Sequence, residues 1–186
     1  MFVGPMFGSK TTRLLAAIDR YKYQKKNVAA FKPKIDDRYS SLEISTHAGG
    51  KFPAIPIESG DDLFFWWTEN SSNYDIIAVD EAFMIPDISN ALISMFSCGT
   101  DIIVSSLDLS ATLRSFDEIE RMLPWATKIE KCPAVCTTCN RDAFYTYRKV
   151  DGIAEITVGG SDLYEPRCWE HHDQFTHNSL KESDDV

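Results

Sequence analysis

The sequence predicts an α/β fold, a parallel sheet with helices on both faces, followed by a small β-rich zinc-binding domain. Three observations carry this prediction. A glycine-containing loop joins a short apolar start to an apolar run at helical spacing. Strand-like and helix-like segments then alternate as far as residue 127. Beyond that point the chain turns to short strand-like pieces, punctuated by Cys136-x-x-Cys139 and Cys168-x-x-His171.

The opening loop is Gly4-Pro5-Met6-Phe7-Gly8-Ser9-Lys10-Thr11-Thr12. Met1, Phe2 and Val3 precede it as a very short strand, and Leu14, Leu15, Ile18 and Tyr21 follow at helical spacing. Strand, glycine loop, Lys-Thr and helix is the layout of a phosphate-binding loop, which makes the sheet P-loop NTPase-like. Successive backbone N–H groups and a helix N-terminus face an anion, the lysine reaches the outer phosphates, and the threonine hydroxyl can ligate Mg²⁺. The usual pattern has glycine directly before the lysine, whereas here Ser9 stands there and Gly8 one place earlier. An ordinary turn with Ser9 capping the helix is the alternative for the loop taken alone.

Val28-Ala29-Ala30-Phe31 reads as a buried strand ended by Lys32-Pro33-Lys34. Residues 35–41 and 45–50 are aperiodic and read as surface loops, the second carrying His47. Ser59-Gly60-Asp61-Asp62 starts a helix whose apolar face (Leu63, Phe64, Trp66, Trp67) suits core or subunit contact. Ile76-Ile77-Ala78-Val79 is a fully buried parallel strand ending on Asp80-Glu81. A helix follows Pro86-Asp87 and stops near Gly99, and a second buried strand spans 101–108. The next helix is capped at Ser115-Phe116-Asp117-Glu118 and ended by Pro124. In such sheets ligands collect at the C-terminal strand ends, where the loop, Asp80-Glu81 and Asp108 all fall. Strand-like pieces at 128–135, 143–150 and 153–158 complete a domain of residues 128–173, and the polar, acidic residues 174–186 read as a tail.

Composition narrows the function classes. The 186 residues are 44% hydrophobic, enough for a core, and hold no apolar run long enough to span a membrane. No signal peptide is visible, so a soluble cytoplasmic protein is expected. A net charge of −9 argues against nucleic acid as the main partner. Five cysteines with one Cys-x-x-Cys indicate metal or redox chemistry rather than a disulfide frame.

Two acids at a strand end downstream of a phosphate loop suit phosphoryl transfer. Asp80 can hold Mg²⁺, and Glu81 can accept a proton from an attacking hydroxyl. Two solvated acids are the plainer alternative. Cys136, Cys139, Cys168 and His171 form the four-ligand Cys₃His set of a structural zinc site, with no position open for a catalytic water.

In order along the chain stand Gly4-Pro5-Met6-Phe7, Lys10-Thr11-Thr12, Asp36-x-Arg38-Tyr39-Ser40-Ser41, Thr46-His47, Val79-Asp80-Glu81-x-Phe83, Leu107-Asp108, Cys136-x-x-Cys139, Tyr145-Thr146-x-Arg148, Gly159-Gly160-x-x-x-Tyr164 and Cys168-x-x-His171. Together they resemble the type II thymidine kinase family over nearly the whole chain. The resemblance implies ATP- and Mg²⁺-dependent phosphorylation of the thymidine 5′-hydroxyl, a structural zinc, and a homotetramer without nucleic-acid or membrane partners. It implies a kinase domain at 1–127, with the loop Gly4, Pro5, Met6, Phe7, Gly8, Ser9, Lys10, Thr11 and Thr12 and Asp80 serving ATP and Mg²⁺. Glu81 matches the catalytic base and Arg38 an arginine beside the transferring phosphate. Met6, Leu107, Thr146 and Tyr164 match the nucleoside pocket. Residues 156–164, including Ile156, Val158, Gly159 and Gly160, match a lasso that closes over the nucleoside and holds the base through backbone groups.

Three departures stand out. Gly8-Ser9 reverses the family's usual Ser-Gly. Ala111 stands where an aromatic usually stacks on the base, leaving Phe83 as the side chain available to fill the gap. Leu113 stands at or near the place of an arginine. Two other readings therefore stay open, a kinase for deoxyuridine or another pyrimidine deoxynucleoside, and a nucleotide-binding protein without turnover.

Overall fold

A computed structural model describes residues 1–36, 42–46, 48–150 and 156–173. The elements run β1 (Phe2–Val3), α1 (Lys10–Tyr23), β2 (Val28–Pro33), β3 (Glu43–Ser45), β4 (Lys51–Pro53), β5 (Ile55–Ile57) and α2 (Gly60–Asn70). They continue with β6 (Ile76–Val79), α3 (Ile88–Ser97), β7 (Asp101–Ser106), α4 (Asp117–Met122), β8 (Glu130–Lys131), β9 (Ala134–Val135), β10 (Asp142–Ala143), β11 (Tyr145–Arg148) and β12 (Tyr164–Arg167). Among the described residues no helix is long and apolar enough to cross a membrane.

Six strands form one all-parallel sheet in the order β5-β2-β6-β7-β1-β8. Side chains alternate between its faces because the strand period is two. Ala29, Phe31, Ile77 and Val79 face a core completed by Leu63 of α2, Ile88, Leu92 and Met95 of α3, and Ile119 of α4. Ala30 and Ala78 face the opposite side, against Leu14 and Ile18 of α1. All four residues of β6 are buried, as a strand covered on both faces must be. The expected helices on both faces are thus present.

The helix starts follow local chemistry. Ser59 and Asp62 form a reciprocal capping box on α2. Gly60 is required for space, since a Cβ there would lie 2.2 Å from the Asp87 carbonyl oxygen at the start of α3. Phe64, Trp66 and Trp67 pack on the main core.

Two stretches differ from the sequence-based expectation. Ser45, expected in a loop, instead ends β3, which pairs with β4 so that Ile44 lies opposite Phe52. Strands of three residues are too short to display a period of two. β8, expected among the later strand-like pieces, instead joins the main sheet beside β1. As expected, the α-helix α4 ends just ahead of Pro124, at Met122, and Leu123–Trp125 follow as a 3-10 turn with proline in its first turn, where no N–H is needed. Cys136 and Cys139 lie in the connection between the antiparallel strands β9 and β10, and Cys168 and His171 follow β12, which pairs with β11.

Candidate active site and metal centre

The loop after β1 turns twice through left-handed backbone, at Phe7 (φ 64°) and Ser9 (φ 56°). Ser9 sits at the N-cap position of α1, yet its side chain makes no capping hydrogen bond, so the alternative of a simple capped turn does not hold. Gly8 avoids a steric conflict. A Cβ there would lie 2.7 Å from the Cys132 carbonyl oxygen and 3.2 Å from that of Pro5. The loop's glycine is therefore placed by close approach, and its left-handed turn is taken by an exposed serine. Lys10 is buried and donates to the Pro5 carbonyl at 2.6 Å. Burial pushes its pKa down, opposed by the nearby Glu81 and Asp80 carboxylates.

Asp80 follows β6 and is buried, accepting hydrogen bonds from Thr11 Oγ1 (3.2 Å to each carboxylate oxygen) and from Ser105 Oγ. Desolvation, then repulsion from Glu81, pushes its pKa up to about 7, against the pull of Ser105, Thr11 and Lys10. Glu81 adopts φ 49°, a left-handed conformation unusual outside glycine.

These groups line a cleft of about 260 Å³ at the C-terminal end of the sheet. Met6, Phe7, Gly8, Ser9, Lys10, Thr11, Thr12, Asp80 and Glu81 form its loop side, and Lys32, Asp36 and hairpin residues Glu43 to Thr46 its other wall. Gly4 and Pro5 are buried and do not line it. Arg38 and His47 lie outside the described residues.

A second, smaller cavity of about 30 Å³ opens beside the first. Met6, Phe83, Leu107, Thr146, Ile156, Gly159 and Tyr164, all singled out in the sequence, line it together with Glu81. Val158 lines neither cavity, and Gly160 lines the loop cleft instead. The Met6 N–H donates to Thr146 Oγ1 at 3.0 Å, and Tyr164 Oη donates to the Thr157 carbonyl at 3.1 Å. Met6 and Glu81 line both cavities, at the junction between them. Asp108 lines neither and pairs with Lys131 of β8.

Several residues at these cavities escaped the sequence. Phe116 lines the small cavity, its ring 4.7 Å from that of Phe83, where Ala111 supplies no ring. Ser106 Oγ accepts from the Phe83 N–H at 3.1 Å, and Ser105 supports Asp80. The signal was two serines ending an apolar strand. Buried hydroxyls require partners, and the neighbouring strand end carried the acids. Lys32, also buried, showed no comparable signal, whereas the buried Asp36 stood in the Asp36-x-Arg38 motif without an assigned role.

The ligand atoms of Cys136, Cys139, Cys168 and His171 all lie within 4.8 Å of one another. Cys139 Sγ and Cys168 Sγ are 3.7 Å apart. Tetrahedral zinc with bonds of about 2.3 Å spaces its sulfurs about 3.8 Å apart, so the cluster fits zinc. His171 Nδ1 lies 3.1 Å from Cys168 Sγ and 4.0 Å from Cys136 Sγ. Desolvation opposes ionisation of Cys136, but backbone N–H groups of Cys168, Thr138 and Cys139 outweigh it and bring the thiol down to about 6. Arg141 Nε donates to Cys139 Sγ at 3.4 Å from outside the cluster.

A family profile described as thymidine kinase matches residues 1–172. A curated thymidine kinase of Pyrobaculum aerophilum is 32% identical over 179 residues, covering 92% of this chain and 96% of its own. One of Thermococcus kodakarensis is 35% identical over 182 residues, covering 92% of both. The sheet, its sites and these matches define a nucleoside kinase. The chain belongs to the thymidine kinase family.

Proposed function

We propose that the protein transfers the γ-phosphoryl group of ATP to the 5′-hydroxyl of thymidine, giving ADP and dTMP. The observation that carries this reading is the position of Glu81, which lines both the loop cleft and the smaller, largely apolar cavity. A nucleoside in the small cavity directs its 5′-hydroxyl toward the phosphates at that junction. Glu81 accepts the hydroxyl proton as the oxygen bonds to the γ-phosphorus and the bond to the departing ADP oxygen breaks. The loop N–H groups and Lys10 hold the phosphates, and Arg38 is proposed from the sequence as a further donor for the developing charge. Thr11 and Asp80 offer converging hard oxygen donors that fit Mg²⁺, which neutralises phosphate charge when bound. The zinc cluster serves as a staple, holding β11 and the segment ending at Tyr164 against Met6.

Thymidine-dependent ADP release from ATP, with dTMP identified as the product, tests this reading. ATP binding without release on any nucleoside would overturn it in favour of a non-catalytic protein. Ala111 in the cavity wall favours including deoxyuridine and deoxycytidine. Faster turnover on either would reassign the substrate while leaving the chemistry intact.

A further inference from the structure

We propose that Phe7 is a positioning residue through which the metal centre sets the conformation of the phosphate loop, so that metal binding and ATP binding strengthen one another. This rests on the reading of the loop cleft as the ATP site. Phe7 belongs to two places at once. It lines the loop cleft, and it packs against Ala134, Cys136, Ala143 and Cys168, the apolar shell of the Cys/His cluster. Two of those four residues are themselves metal ligands by position.

The backbone at Phe7 points the same way. Its φ of 64° is rare for a bulky side chain and persists only where surrounding structure enforces it. The contacts that enforce it come from the zinc-bearing part of the chain. On one side the Met6 N–H is held by Thr146 Oγ1 of β11. From below, the Cys132 carbonyl oxygen occupies the space that a Cβ on Gly4 or Gly8 would need, at 2.4 and 2.7 Å. The Cys132 N–H in turn donates to the Val3 carbonyl at 2.7 Å. Cys132 leads through β9 directly into Cys136.

When metal draws the three sulfurs and the imidazole together, the shell that receives the Phe7 ring is formed. When the cluster is empty, the thiols need not converge, and Phe7 loses the packing that compensates its backbone. Relaxation at Phe7 turns the loop N–H groups away from the phosphates. Such coupling is reciprocal, because a ligand that stabilises one conformation strengthens every other ligand that requires it.

The test uses the full chain loaded with zinc and a non-hydrolysable ATP analogue without nucleoside. In the unaltered protein the analogue should slow zinc release to a chelating dye by about fivefold or more. Phe7→Ala should retain zinc yet bind the analogue about tenfold more weakly, and the analogue should no longer slow zinc release. Phe7→Leu, which keeps an apolar side chain in the shell, should fall between. Equal release rates with and without bound analogue, or undiminished affinity in Phe7→Ala, would overturn the coupling alone. If Phe7→Ala does not fold, the release rates of the unaltered protein decide by themselves. Failure of the unaltered protein to bind the analogue would overturn the functional reading and the coupling with it.

Discussion

The Thr11 hydroxyl donates to Asp80 across the gap between the first helix and the sheet, 3.2 Å from each carboxylate oxygen. Together with Ser105 it holds a buried acid whose pKa is pushed up to about 7. Asp80's ordinary value is 3.8, so between these limits the folded chain holds a proton that the unfolded chain has released. Stability from this group is therefore present at low pH and lost as pH rises through about 7. In nucleotide-free, Mg²⁺-free protein, urea midpoints should show the unaltered chain losing roughly 1 kcal/mol per pH unit relative to Asp80→Asn over that window. Parallel pH profiles for the two proteins would refute the assignment.

Gly8 and Ser9 divide the work that one glycine does in the usual loop pattern. Ser9→Gly should be neutral or stabilising by up to about 1 kcal/mol, because it relieves a left-handed conformation at an exposed position. Gly8→Ala should raise the KM for ATP at least about tenfold, since the new Cβ displaces the loop from the Cys132 carbonyl. Steady-state kinetics and thermal melting distinguish the two. Tolerance of Gly8→Ala would show that the loop is not packed this closely.

Glu81→Gln keeps the shape of the side chain and removes its basicity. Turnover on thymidine should fall by about a hundredfold or more, with affinity for ATP little changed. A turnover within about tenfold of the unaltered protein would remove Glu81 from the role of base.

The Phe83–Phe116 pair supplies the aromatic wall that Ala111 lacks. Phe83→Leu should raise the KM for thymidine roughly fivefold, corresponding to about 1 kcal/mol of lost ring contact, and leave the KM for ATP unchanged. An unchanged thymidine KM would show that the base does not rest on this ring.

Much of this arrangement was legible in the residues. Apolar runs bounded by turn residues marked β6 and β7, because strands buried on both faces carry no polar alternation. Cysteine and histidine at knuckle spacing marked the candidate metal centre, because few other uses of those residues share that spacing. The acids after β6 were visible because charge seldom ends a buried strand without a purpose at that end of the sheet.

What the sequence determined by itself was therefore the class of fold, the four Cys/His residues that could hold zinc and the candidate phosphate loop, all set by local pattern and spacing. The tertiary structure decided what depends on distant segments meeting. It brought β8 beside β1, so that the Cys132 carbonyl dictates where the loop's glycine must stand. It brought Phe116 to Phe83 and Ser105 to Asp80, pairs separated by 33 and 25 positions in the chain. Contacts of that kind are fixed by which strands neighbour one another in the sheet, an order that no local periodicity records.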